Sequence, residues 1–115
     1  MNPDAYRRGL QLFNRGEFFE AHEILEDVWR AAPLEERRFL QGLIQVAVAL
    51  HHHSTGNVTG CRSVLARACR NLSSYPSKYG GLDLAGLLAT LELWRQALDA
   101  GLREPPVPIL SFTQG

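Results

Sequence analysis

A chain of 115 residues is read as one domain, long enough to bury a single core without disulfide or metal staples. Twelve Lys plus Arg balance twelve Asp plus Glu, so the basic excess that a sequence-independent grip on nucleic acid needs is missing, and no nucleic-acid partner is expected. Apolar residues make up 45%, an ordinary globular share, and the longest apolar run, Leu43 to Leu50, is broken by Gln45, far short of the roughly 20 residues of a membrane span.

Asn2-Pro3-Asp4 predicts a helix start, with Asn at the N-cap, Pro in the first turn and an acid at the positive end of the dipole. Tyr6, Leu10 and Phe13 then recur at helical spacing as far as Gly16. A second helix is expected from Glu17 to Arg30, with Phe18, Phe19, His22, Leu25, Glu26 and Trp29 on its inner face and Pro33 closing it. So short a link makes the first two helices an antiparallel hairpin. The third begins near Leu34 or Glu35 and runs into His51-His52-His53, stopped by Gly56 and Asn57. Its stretch FLQGLIQVAVALHHH is apolar almost all round, which suits the central helix of a bundle.

A fourth helix, capped by Asn57 or Thr59, keeps a 3.6 period through Val58, Cys61, Val64, Leu65, Ala68, Cys69 and Leu72. Its two cysteines lie about 12 Å apart at 1.5 Å rise per residue and cannot bridge each other. Isolated thiols, with an opening MNPDAYRRG that has no apolar leader, point to a cytoplasmic protein. Ser73, Ser74, Pro76 and Gly80-Gly81 form the longest loop, and a last helix runs from Asp83 to Ala100. No stretch alternates long enough to make a strand. The expected fold is all-α, about five helices in an antiparallel, mostly up-and-down bundle over residues 1–104. In the tail, 105–115, Pro105, Pro106 and Pro108 forbid a helix. It should run extended, with Val107, Ile109, Leu110 and Phe112 apolar enough to dock on the bundle or on a partner subunit.

Two polar stripes carry whatever chemistry there is. At about 100° per residue, His22, Glu26 and Trp29 fall at roughly 0°, 40° and −20° on the second helix. Gln41, Gln45, Val48 and His52 fall at roughly 0°, 40°, −20° and 20° on the third. If the stripes face each other, two imidazoles, a carboxylate and two amides meet at one interior spot, and three of these are good metal ligands. His52 is preferred over His51 and His53 because each of those lies about 100° away from the glutamine line. Buried, such groups need partners, each unmet group costing about 1–3 kcal/mol.

The pattern FNRGEFFEAHEILEDVWR followed by FLQGLIQVAVALHH resembles the bacterial and archaeal family known as domain of unknown function 309. The family's His-x-x-x-Glu-x-x-Trp or Tyr hallmark is met by His22, Glu26 and Trp29. Its Gly-Leu-Ile-Gln block with a following histidine is met by Gly42, Leu43, Ile44, Gln45 and His52. The resemblance covers Tyr6 to Leu72 well and the rest loosely, and implies an all-helical fold and a His/Glu motif suited to metal.

Two readings of the cluster follow. In the first, His22, Glu26 and His52 hold one divalent transition metal, Zn²⁺, Mn²⁺ or Fe²⁺, whose water is the nucleophile of a small hydrolase of unknown substrate. Glu23 or Glu26 then moves protons. Glu23 stands where H-E-x-x-H proteases keep their general base, but Glu26 replaces their second histidine, which excludes a simple protease. In the second, the cluster with Trp29, Gln41 and Gln45 in support is a hydrogen-bond network that fixes helix register. The protein is then a non-enzymatic interaction module, able to form a homodimer or a partner groove, and Glu26 is the acceptor for the Trp29 indole. The helix hairpins resemble tetratricopeptide-type stacking, although no 34-residue self-similarity is present.

Overall fold

Helix α1, Pro3–Asn14, begins as its sequence dictates: the Asn2 side chain accepts from the Asp4 and Ala5 amides at 3.1 and 3.2 Å. The computed structural model describes residues 1–101, so the expected docking of residues 105–115 lies outside them. Helix α2 spans Phe18–Arg30 and α3 spans Leu34–Ser54. Between them Arg37 turns back to donate to the Ala32 and Arg30 carbonyls at 3.1 and 3.3 Å, satisfying the open end of α2. Helix α3 ends in a Schellman motif: Asn57 donates to the His52 carbonyl at 2.8 Å and Gly56, at φ 83°, to that of His53 at 3.1 Å. Asn57, rather than Thr59, then caps α4, Val58–Leu72, accepting from the Gly60 amide at 2.9 Å. Asp83 caps α5, Leu84–Asp99, in the same way through Gly86.

The expectation of no strand needs one correction. Lys78–Tyr79 (β1) and Leu82–Asp83 (β2) pair antiparallel, Lys78 opposite Asp83 and Tyr79 opposite Leu82. Two residues per strand are too few for alternation to register. The signal was the Gly80-Gly81 pair, both at positive φ, which is what a two-residue hairpin turn requires.

Packing runs along the chain. Each helix lies chiefly against its sequence neighbours, α1 on α2, α2 on α3, α3 on α4 and α4 on α5, and the α3–α4 interface is the largest. Gly42 permits that last approach, because a Cβ there would stand 2.6 Å from Leu72 Cδ2. Helix α3 is central as expected: Phe39, Leu40, Leu43, Val46, Ala47, Ala49 and Leu50 are buried, while Gln41 is exposed and Gln45, Val48 and His52 are half-buried. The polar stripe is thus the one side of α3 that faces outward. Among the described residues no helix is long and apolar enough to cross a membrane.

The β1–β2 loop locks back onto the start of the bundle. The Tyr6 hydroxyl donates to the Gly80 carbonyl at 2.6 Å, and burial pushes that phenol well above its ordinary pKa. Tyr75 enters α3 itself: its hydroxyl accepts from the Phe39 amide at 3.0 Å and donates to the Glu35 carbonyl at 2.9 Å. One side chain therefore reaches both members of an i, i−4 backbone pair near the start of α3.

Candidate functional site

The two stripes do meet, in an open groove rather than an enclosed core. Glu26, Trp29 and Arg30 of α2 and Gln41, Ile44 and Gln45 of α3 line a hollow of about 260 Å³. No polar or charged residue is buried among those described. The expectation of a buried His/Glu/Gln cluster is corrected accordingly. The stripe faces outward between α2 and α4, because α3 buries the opposite side.

The glutamines also find a different partner. Gln45 Oε1 accepts from Asn71 Nδ2 at 2.8 Å, and Asn71 Oδ1 accepts from Arg38 Nε at 3.2 Å, so the amide relay runs to α4 and not to His22 or Glu26. With its oxygen occupied, Gln45 leaves its Nε2 hydrogens as donors. His52 likewise turns to α4, its Nδ1 lying 3.4 Å from the Asn57 amide nitrogen. It is His51 that approaches α2: the Phe19 ring packs on His22 at 5.2 Å and on His51 at 5.6 Å between centroids. A helical wheel locates a stripe on α3 but does not say which neighbour reaches each of its residues.

His22 Nδ1 stands 2.8 Å from the Phe19 carbonyl, which can only accept, so Nδ1 carries a hydrogen. Nε2 then faces Glu26 Oε1 at 3.6 Å. At that distance the imidazole nitrogen and the carboxylate oxygen are close enough to share a ligand bound between them. Glu26 is shared further, its other oxygen lying 3.8 Å from Arg30, which in turn holds Asp27 at 2.6 Å. Glu23 is exposed on α2 and does not line the groove. Of the metal set expected, the structure brings His22 and Glu26 together and leaves His52 beside Asn57. Among the described residues no three His, Cys, Asp or Glu side chains are grouped so as to hold a metal ion.

Trp29 also departs from expectation. Its indole Nε1 is buried and has no hydrogen-bond partner among the described residues, so Glu26 does not serve it. The ring is held in place by Arg37, whose guanidinium carbon lies 5.4 Å from its centroid. Sequence reasoning read Asn57 only as a helix cap and missed Arg37 and Asn71 as neighbours of the stripes. Elsewhere, burial pushes the Cys61 thiol up to about 11, which suits an inert core residue.

A model of the family described as domain of unknown function (DUF309) matches residues 6–64. The chain is 37% identical over 81 residues to an uncharacterised protein of Aquifex aeolicus (strain VF5), a match covering 70% of this chain and 24% of that protein. It is 41% identical over 76 residues to the uncharacterised protein YpuF of Bacillus subtilis (strain 168), covering 64% of this chain and 44% of that protein. It therefore spans less than half the length of either relative.

Proposed function

The chain belongs to the domain of unknown function 309 family, and from that premise we propose that it is a non-enzymatic helical recognition module whose α2–α3 groove holds an extended polypeptide segment. The observation that carries this reading is the Trp29 indole N–H, shut away from water beside the groove without an acceptor. An unmet buried donor costs about 1–3 kcal/mol, which an entering carbonyl would recover. Gln45 offers a second donor and Ile44 an apolar wall, while Glu26 and Arg30 mark the rim. Backbone carbonyls of an extended segment supply the acceptors that such donors lack.

The test is a titration of the ¹⁵N-labelled chain with short extended peptides against helix-forming ones of matched composition. Binding is expected to move the Trp29 indole resonance, and Trp29→Phe or Gln45→Leu to weaken it about tenfold each, the worth of one hydrogen bond. If no peptide moves that resonance, the reading fails.

A second reading is supported by the His22–Glu26 pair, whose facing acceptors would welcome a divalent cation. Zn²⁺, Mn²⁺ and Fe²⁺ suit one nitrogen and one oxygen donor with water completing the shell. Elemental analysis of untagged, chelator-free chain decides it: near-stoichiometric metal, lost in His22→Ala and kept in His52→Ala, is the expected pattern. Metal absent from all three samples would remove this reading and the hydrolase built on it.

A further inference from the structure

The junction of α2 and α3 continues past the hollow beside Trp29. On α2, Phe19 and Glu26 are seven residues apart and so lie only about 20° from each other, and on α3 Ile44 and His51 are spaced the same way. Two turns from the hollow these rows meet: the Phe19 ring stands 5.2 Å from that of His22 and 5.6 Å from that of His51. Two imidazoles thus hold the ring in place, yet Phe19 stays 49% exposed. Charge is segregated along this line. At the Trp29 end stand Arg30 and Arg37, the second against the indole ring. Toward the Phe19 end the exposed charges of α2 are Glu20 and Glu23, and among the described residues neither makes an ion pair or hydrogen bond, whereas Glu26 is shared by His22 and Arg30. Glu23 follows Phe19 by four residues on the helix, which sets their Cβ atoms about 5–6 Å apart.

We propose that the segment held by the groove is basic, with an Arg or Lys side chain laid on the Phe19 ring and its charge met by the Glu23 carboxylate. The proposal rests on the groove reading and adds what the partner must carry. A half-exposed aromatic face attracts a cation through its quadrupole, and an unpaired carboxylate one turn away attracts the same charge. An acidic segment would be repelled by Glu20 and Glu23. A purely apolar one would take Glu23 out of water with nothing in exchange. Arg suits the place better than Lys, because its planar guanidinium can stack on the ring and still donate to the carboxylate. Spacing sets the register: Phe19 and Trp29 are separated by about 15 Å along α2, which an extended segment covers in about four or five residues. The cation therefore belongs that many positions from the carbonyl that meets the Trp29 indole.

The probes are capped, extended peptides of alternating Thr and Val that carry one Arg near either end, each beside a twin with Gln in place of the Arg. Titrations of the ¹⁵N-labelled full chain follow the Trp29 indole and Phe19 amide resonances. Both kinds of peptide should move the indole resonance, and the better-placed Arg peptide should bind about tenfold more tightly than its twin, as an exposed cation–π contact and an exposed ion pair together allow. Phe19→Leu and Glu23→Gln should each reduce that preference about threefold while leaving the Gln twin's binding as it was. Equal binding of Arg and Gln peptides, with the indole resonance still moving, would overturn this proposal and leave the groove reading standing. So would a Phe19→Leu variant that weakens both peptides alike, since the ring would then be an apolar wall for any segment. An indole resonance unmoved by every peptide would remove the groove reading and this inference with it.

Discussion

Gly80→Ala is expected to destabilise the protein by about 2–5 kcal/mol. Two costs combine. At φ 59° an added Cβ carries a left-handed penalty of about 1–2 kcal/mol. The same Cβ would stand 2.7 Å from Phe39 Cε2 and Cζ and 2.8 Å from the Tyr6 hydroxyl, an overpacking cost of about 1–3 kcal/mol. The neighbouring residue separates them. Gly81 has φ 73° but nothing within 4 Å of its Cβ position, so Gly81→Ala should lose only about 1–2 kcal/mol. Urea unfolding at unchanged m-value measures both. Equal losses in the two variants would mean that the aromatic rings give way freely, and that the loop is fastened more loosely than the Tyr6–Gly80 bond implies.

The same contrast shows what the sequence could and could not reveal. Asn2-Pro3, Gly56 and the all-round apolar character of α3 act within a few residues, so capping rules and the wheel place them correctly. Side chains that act across the fold stayed hidden. Tyr75 reaches into α3 from thirty-six residues beyond Phe39, and nothing in its local sequence marks a hydroxyl destined for the Glu35 carbonyl. The candidate site divides the same way. Each helical stripe was legible, because it depends only on spacing within one element. Which neighbour would satisfy it was not: α4, the broader partner of α3, took Gln45 and His52 through Asn71 and Asn57 and left the α2 side open as a groove. A stripe read as buried became a half-buried, outward-facing side because burial belongs to the neighbours and not to the helix itself.

Phe39→Ala carries the largest expected loss, about 3–5 kcal/mol for removing a buried aromatic ring. Phe39 is 0% exposed, and Tyr6, Tyr75 and Tyr79 are set around it at 6.4, 5.7 and 4.8 Å between centroids. Three segments distant in sequence therefore rest on one side chain: α1, the end of the α4–β1 loop, and β1. Phe39→Leu keeps apolar volume but not the edge-on ring contacts, each worth about 0.5–1.5 kcal/mol, and should fall between wild type and Ala. Hydrogen exchange then tells a local fault from a global one. If Phe39 chiefly anchors the loop, amides at Tyr79 and Leu82 lose protection more than those in the middle of α4. If protection falls equally everywhere, the ring is an undivided part of the common core, and the loop unfolds only with the whole bundle.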